Sequence, residues 1–104
     1  MLCYAHTDPA HPCADQAEAF WEPLFTPFGD DPETHCQGPD CPACARLDPR
    51  HGHLNKVAHL AARFAAEMFT PGSPEATAAA EWGRLTGLWH DLGKFAPEFQ
   101  RRLL

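Results

Sequence analysis

Residues 53–69, HLNKVAHLAARFAAEMF, and residues 73–91, SPEATAAAEWGRLTGLWHD, decide the fold class. In the first, Leu54, Val57, Ala58, Ala61, Phe64, Ala65 and Met68 fall at i, i+3, i+4, i+7, i+10, i+11 and i+14. That spacing is one face of an amphipathic helix, ending near Phe69 before Pro71-Gly72. Ser73-Pro74-Glu75 then supplies an N-cap hydroxyl, a proline at the first helical position and an acid in the first turn. The helix it opens is expected to run to about Asp91, with Ala79, Trp82, Leu85, Thr86 and Trp89 along it. Gly93 is expected to end this element, and Pro97 to start a last helix through Phe99 to the end of the chain.

Upstream the chain changes character. Pro9, Pro12, Pro23, Pro27, Pro32, Pro39, Pro42 and Pro49 break residues 1 to about 52 and exclude long regular elements. One short helix, roughly Asp15 to Glu22, would carry Phe20 and Trp21 into a core. Residues 28–50, with Gly29-Asp30-Asp31-Pro32 and Gly38-Pro39-Asp40, read as an irregular loop inserted into the domain. No run of alternating β-branched residues occurs, and no internal repeat. The expected class is therefore all-α, with an irregular Pro/Cys-rich N-terminal half. Phe20, Trp21, Phe64, Trp82, Trp89, Phe95 and Phe99 are expected mainly in the core, since no basic residues interleave with them as a base-stacking platform requires.

A chain of 104 residues supports one small domain, and one of this size is marginal without metal, disulfide or partner support. Its net charge of −6 argues against a protein that coats DNA, which needs a basic surface to displace counterions. No basic n-region or apolar run opens the chain, and no stretch has the length of a membrane span. A cytoplasmic location with no membrane partner is the expectation. In that setting five cysteines are expected to be reduced thiols or metal ligands.

Two groups of residues carry chemistry. The first is His90-Asp91 with Gly93 and Lys94. Imidazole suits a transition metal, a carboxylate can bridge two ions, and Lys94, three residues after Asp91, can reach the same edge and meet a phosphate. Taken alone, the pair fits equally a helix C-terminus at which His90 and Lys94 complement the dipole. The second group is His35, Cys36, Cys41 and Cys44. Cys41-Pro42-Ala43-Cys44 is a C-x-x-C with Cys36 five residues upstream, enough for a tetrahedral zinc site that would order the insert. Adjacent ligands at 35 and 36 are awkward, so Cys13 or His51 stands as an alternative fourth ligand. Plain loop thiols and a disulfide remain the competing readings.

The segment Leu88-Trp89-His90-Asp91-Leu92-Gly93-Lys94-Phe95 resembles the signature of the HD phosphohydrolase superfamily. Its continuation Ala96-Pro97-Glu98-Phe99-Gln100 resembles specifically the CRISPR-associated HD nuclease, the domain paired with a helicase in type I interference. Tyr4-Ala5-His6-Thr7, Trp21-Glu22-Pro23-Leu24 and His53-Leu54 with Val57-Ala58 are similar to further segments of that family. The resemblance covers most of the chain except residues 28–50. It implies an HD-domain-like helical bundle, and residues 1–104 would be its N-terminal portion, since the family domain is longer and completes its two-metal site with later histidines and an aspartate.

By position, the resemblance makes His53, His90 and Asp91 metal ligands, with Asp91 bridging, Lys94 supporting the phosphate or orienting Asp91, and His6 beside the site or merely structural. His51 and His59 are rivals to His53, although His59 lies about 120° around the helix from it. The implied cofactor is manganese, iron, nickel, cobalt or magnesium, with zinc at the cysteines. The implied function is metal-dependent cleavage of single-stranded DNA alongside a helicase and a CRISPR effector complex, slow in this portion alone. Two alternatives stand beside it. One is an HD-family nucleotide phosphohydrolase. The other is a zinc-stabilised interaction module with a vestigial HD motif.

Overall fold

The computed structural model describes residues 4–6 and 22–103. Strand β1 (Tyr4–His6) pairs antiparallel with β2 (Glu22–Pro23), Tyr4 opposite Pro23 and His6 opposite Glu22. The rest is helical: α1 (Pro42–Ala45), a 3₁₀ turn at Pro49–His51, α2 (His53–Ala66), α3 (Pro74–Trp89), a 3₁₀ turn at Leu92–Phe95 and α4 (Pro97–Leu103). No helix among the described residues is long and apolar enough to cross a membrane. The mostly helical class agrees with the sequence. The helix expected over residues 15–22 lies outside the described residues except at Glu22, which is extended and paired with β1.

Helices α2 and α3 form an antiparallel pair whose seam is lined by small residues. A Cβ on Gly83 would stand 2.5 Å from the Ala61 carbonyl oxygen, and one on Gly87 2.7 Å from Ala58 Cα. Both glycines are needed because the backbones approach too closely for a methyl group. This contact carries the start of α2 up to the end of α3, and so brings His53 to His90 and Asp91.

Both helix starts have a local cause. At α3, Ser73 Oγ accepts from the Ala76 N–H at 3.1 Å, with Pro74 next to the cap and Glu75 in the first turn, as the sequence specifies. At α2 the N-cap is Gly52, which has no side chain to accept an orphan N–H. Segment 24–26 replaces it. The Leu54 N–H donates to the Leu24 carbonyl at 2.9 Å. Asn55 Nδ2, buried, donates to the Thr26 and His51 carbonyls at 2.7 Å each. Thr26 Oγ1 closes the stitch on the Arg50 carbonyl at 2.9 Å. These bonds fix the chain that follows β2 against the first turn of α2.

Several sequence expectations shift. Helix α2 ends at Ala66 and α3 at Trp89, each short of the expected end, and the Gly93 region winds on as a 3₁₀ turn rather than stopping. Residues 28–50 are not an irregular loop throughout. They contain α1, the start of the Pro49–His51 turn and a bridge of Phe28 to Cys36, in which the Cys36 N–H donates to the Pro27 carbonyl at 2.9 Å. The aromatic residues differ most. Phe64, Trp82, Trp89 and Phe95 are exposed, Trp82 to 73% and Trp89 to 65%. Phe99 is half-buried, and Phe20 and Trp21 lie outside the described residues. Small residues fill the seam, so the larger side chains on α2 and α3 are displaced to its outer flanks. The buried apolar residues form two small clusters instead: Ala5, Leu24 and Leu54, with Phe25 and Leu88 against them, and Cys36, Cys41, Ala43 and Cys44.

Candidate metal centre

The seam sets the first turn of α2 beside the residues that follow α3. His53 Nε2 lies 3.2 Å from Asp91 Oδ2, and His90 Nε2 lies 2.9 Å from the same oxygen. Ligand atoms of all three residues fall within 4.8 Å of one another. Lys94 Nζ is 2.9 Å from Asp91 Oδ2, its N–H donating. The side chains of His53, Asp91 and Lys94 are each about a quarter or less exposed and that of His90 34%, so the cluster sits at the surface of a shallow recess. Beside it, an apolar cleft of about 300 Å³ is lined by Phe25, Leu54, Leu88, Trp89 and Leu92 among others.

The second nitrogen of each imidazole is already engaged. His90 Nδ1–H donates to the Gly87 carbonyl at 2.6 Å. His53 Nδ1–H faces Glu22 Oε2 at 3.3 Å. An acceptor at Nδ1 places the proton there and turns the Nε2 lone pair of a neutral ring towards Asp91. Two lone pairs and a carboxylate oxygen would then converge beside the Lys94 ammonium, a donor set open to a cation. It is also the outer-shell pattern of ligating histidines, in which a carboxylate or a carbonyl orients the ring.

For His53, electrostatics favour the neutral ring. Burial lowers the pKa of His53, and the nearby charge of Lys94 lowers it further, against the opposing pull of Asp91. For Asp91, burial acts upward but is outweighed, chiefly by the hydrogen bond and charge of Lys94, so its carboxyl titrates below the ordinary range. The donor set, two imidazoles and one carboxylate, fits a divalent transition metal.

Glu22 is the functional residue that the sequence did not reveal. It is a buried acid, 5% exposed, held by an ion pair with Lys56 one turn along α2 from His53. Burial lowers the Lys56 pKa. Lys56 and His53 thus share one carboxylate, which satisfies a buried charge and aims the imidazole. Nothing local in the sequence links Glu22 to His53, 31 positions apart. The Trp21-Glu22-Pro23-Leu24 segment was the available signal.

The other candidates fall elsewhere. His6 lies on β1 opposite Glu22, which sets its backbone near the cluster. His59 is turned away, its ring Nδ1 2.9 Å from the Pro39 carbonyl. His51 is buried, with Nε2 3.1 Å from the His35 carbonyl. The sulfurs of Cys36, Cys41 and Cys44 come together within 4.8 Å, but neither His35 nor His51 joins them. The His35 ring instead packs over Gly29, with Nδ1 2.8 Å from Thr34 Oγ1. The His35 ring is thus engaged in a local turn contact and not at the sulfurs. Cys13 lies outside the described residues.

Comparison of the chain with protein-family models, with characterised proteins and with solved structures finds no match.

Proposed function

We propose that the chain carries a metal-dependent phosphodiester-cleaving site of HD type, acting on single-stranded DNA. The observation that carries this reading is the convergence of His53 Nε2, His90 Nε2 and Asp91 on one point while both Nδ1 atoms are held by acceptors. His53, His90 and Asp91 would hold the ion. A bound divalent metal would lower the pKa of a coordinated water and stabilise charge on the phosphate. Glu22 fixes the ring of His53, and the Gly87 carbonyl that of His90. Lys94 keeps Asp91 ionised and offers its ammonium to a phosphate oxygen. The apolar cleft, with Leu88 and Trp89 in its wall, gives a sugar or base a dry surface beside the cluster.

Manganese, iron, nickel, cobalt and magnesium are the candidate ions. The substrate and the partners (a helicase and a CRISPR effector complex) rest on the resemblance of residues 88–100 to the CRISPR-associated HD nuclease, and the cytoplasmic setting on an opening segment without a basic n-region or apolar run. A second reading, a nucleotide phosphohydrolase, is favoured by the net charge of −6, which suits a small substrate better than a polyanion.

The test is cleavage of end-labelled single-stranded DNA, and of nucleotides in parallel, with each metal supplied in turn. The expected result is slow DNA cleavage that requires added metal and disappears in Asp91→Ala. Three ligands hold one ion, whereas a two-ion clamp stabilises both attacking and leaving oxygens, so turnover is expected to be modest. Nucleotide hydrolysis with DNA untouched would select the second reading. Activity that survives Asp91→Ala or chelation would remove both.

A further inference from the structure

We propose that Cys36, Cys41 and Cys44 form a second metal site, separate from the His–Asp cluster, which binds one zinc ion as thiolates and ties the 28–50 insert together.

Geometry comes first. The three sulfurs lie within 4.8 Å of one another, and Cys36 Sγ is 3.4 Å from Cys44 Sγ. Each residue is only 1–2% exposed. They reach one point from two chain segments. Cys36 comes from the bridge to Phe28, while Cys41 is the N-cap of the single turn of α1 and Cys44 lies within it. Positions three apart on a helical turn share a face, and Pro42 at the first helical position fixes the turn that brings the two sulfurs together.

Backbone amides surround the Cys41 sulfur. Burial raises its pKa, but the backbone N–H groups of Gln37, Cys44 and Ala43 donate towards its sulfur and more than compensate. Amide donors around a ligating sulfur are the outer-shell counterpart of the acceptors around a ligating histidine. Cys44, with no such excess of donors, is pushed upward by burial and by its two thiol neighbours. A coordinating thiol is deprotonated outright, so the cation itself supplies the thiolates.

The insert also needs the support. Apart from Ala43, its buried hydrophobic side chains are these three cysteines. A stretch with so little apolar burial does not offset its own ordering entropy, whereas a structural zinc contributes directly to folding. The site sits where such support reaches α2, because the Pro39 carbonyl of the insert meets His59 Nδ1 and the His35 carbonyl meets the buried His51. Soft thiolates select zinc over the hard ions suited to a carboxylate site. The fourth position is completed from outside these three residues.

The experiment uses the full chain carrying Asp91→Ala, which removes the other metal from the count. Elemental analysis of protein purified without chelator should find about one zinc per chain. Titrating the native thiols with a mercurial should release that zinc in step with the buried cysteines, read by a metallochromic dye. Cobalt substitution should give an intense sulfur-to-cobalt absorption band, which Cys41→Ser and Cys44→Ser reduce. Thiols that titrate freely with no zinc released would overturn the proposal, as would a Cys36–Cys44 disulfide in the native chain. Both of these outcomes are read on unmutated cysteines, so a serine variant that fails to fold leaves the test intact.

Discussion

His53 stands between two carboxylates, Glu22 at Nδ1 and Asp91 at Nε2, and the two contacts predict losses of different size. Glu22→Gln keeps the shape but weakens the acceptor that orients the ring, so metal affinity at the cluster should fall roughly 10- to 100-fold. Asp91→Ala removes a ligand and should abolish binding there. His59→Ala should leave affinity unchanged, because its ring is spent on Pro39. Metal titration by calorimetry on the three variants checks all of this, and equal losses in His59→Ala and Glu22→Gln would show the Glu22 contact to be incidental. At this scale the sequence pointed to His53, His90 and Asp91 through its resemblance to the HD family at residues 53–58 and 88–95, and the structure brings the three together. The sequence could not reveal Glu22, whose role depends on a long-range stitch between Leu24–Thr26 and the start of α2.

Among the elements, the Pro49–His51 turn that leads into α2 depends on Asp48. Its carboxylate accepts from the Arg50 backbone N–H at 3.0 Å and pairs with the Arg50 guanidinium. The Arg50 side-chain hydrogen bond is the main cause that brings the Asp48 pKa from 3.8 down to about 2. A depressed folded-state pKa means stability present above the ordinary carboxyl value and lost as pH falls from 3.8 towards 2. The difference in melting temperature between the native chain and Asp48→Asn should therefore be full at neutral pH and shrink across that window. Arg50 is well exposed, so the pair itself contributes little. At the other helix, Ser73→Ala should cost about 1 kcal/mol by chemical denaturation, the usual loss of an N-cap. That cap was legible from Ser73-Pro74-Glu75 alone. The start of α2 was not, because Gly52 carries no cap and its partners lie across the chain.

On the scale of the whole molecule, the chain is elongated, 48 × 27 × 23 Å with a radius of gyration of 15.1 Å, against about 13 Å for a compact domain of 100 residues. Burial is correspondingly thin. Hydrophobic period located both long helices, but Phe64, Trp82, Trp89 and Phe95 were assigned to a core they do not enter, because period identifies a face and not what covers it. The consequence is measurable. Trp82→Ala and Phe64→Ala should each change stability by less than about 0.5 kcal/mol, as surface substitutions do, rather than the 3–5 kcal/mol of a buried aromatic. Leu54→Ala, in the small cluster with Ala5 and Leu24, should cost about 2–5 kcal/mol in the same assay.

The glycine seam has a consequence for alignment. Gly83 and Gly87 lie one helical turn apart, and they are bounded by Ala79 one turn before and Asp91 one turn after. Sliding α3 by a turn, about 5.4 Å, in one direction would press the Ala79 methyl into the Ala61 carbonyl, where only 2.5 Å is open even to a built Cβ. Sliding it the other way would carry the residues beyond Trp89, where the α-helix has ended, towards the slot that Gly87 fills. Two missing side chains thus work as a two-tooth key that accepts a single register, and the distance from His53 to Asp91 is the quantity it sets.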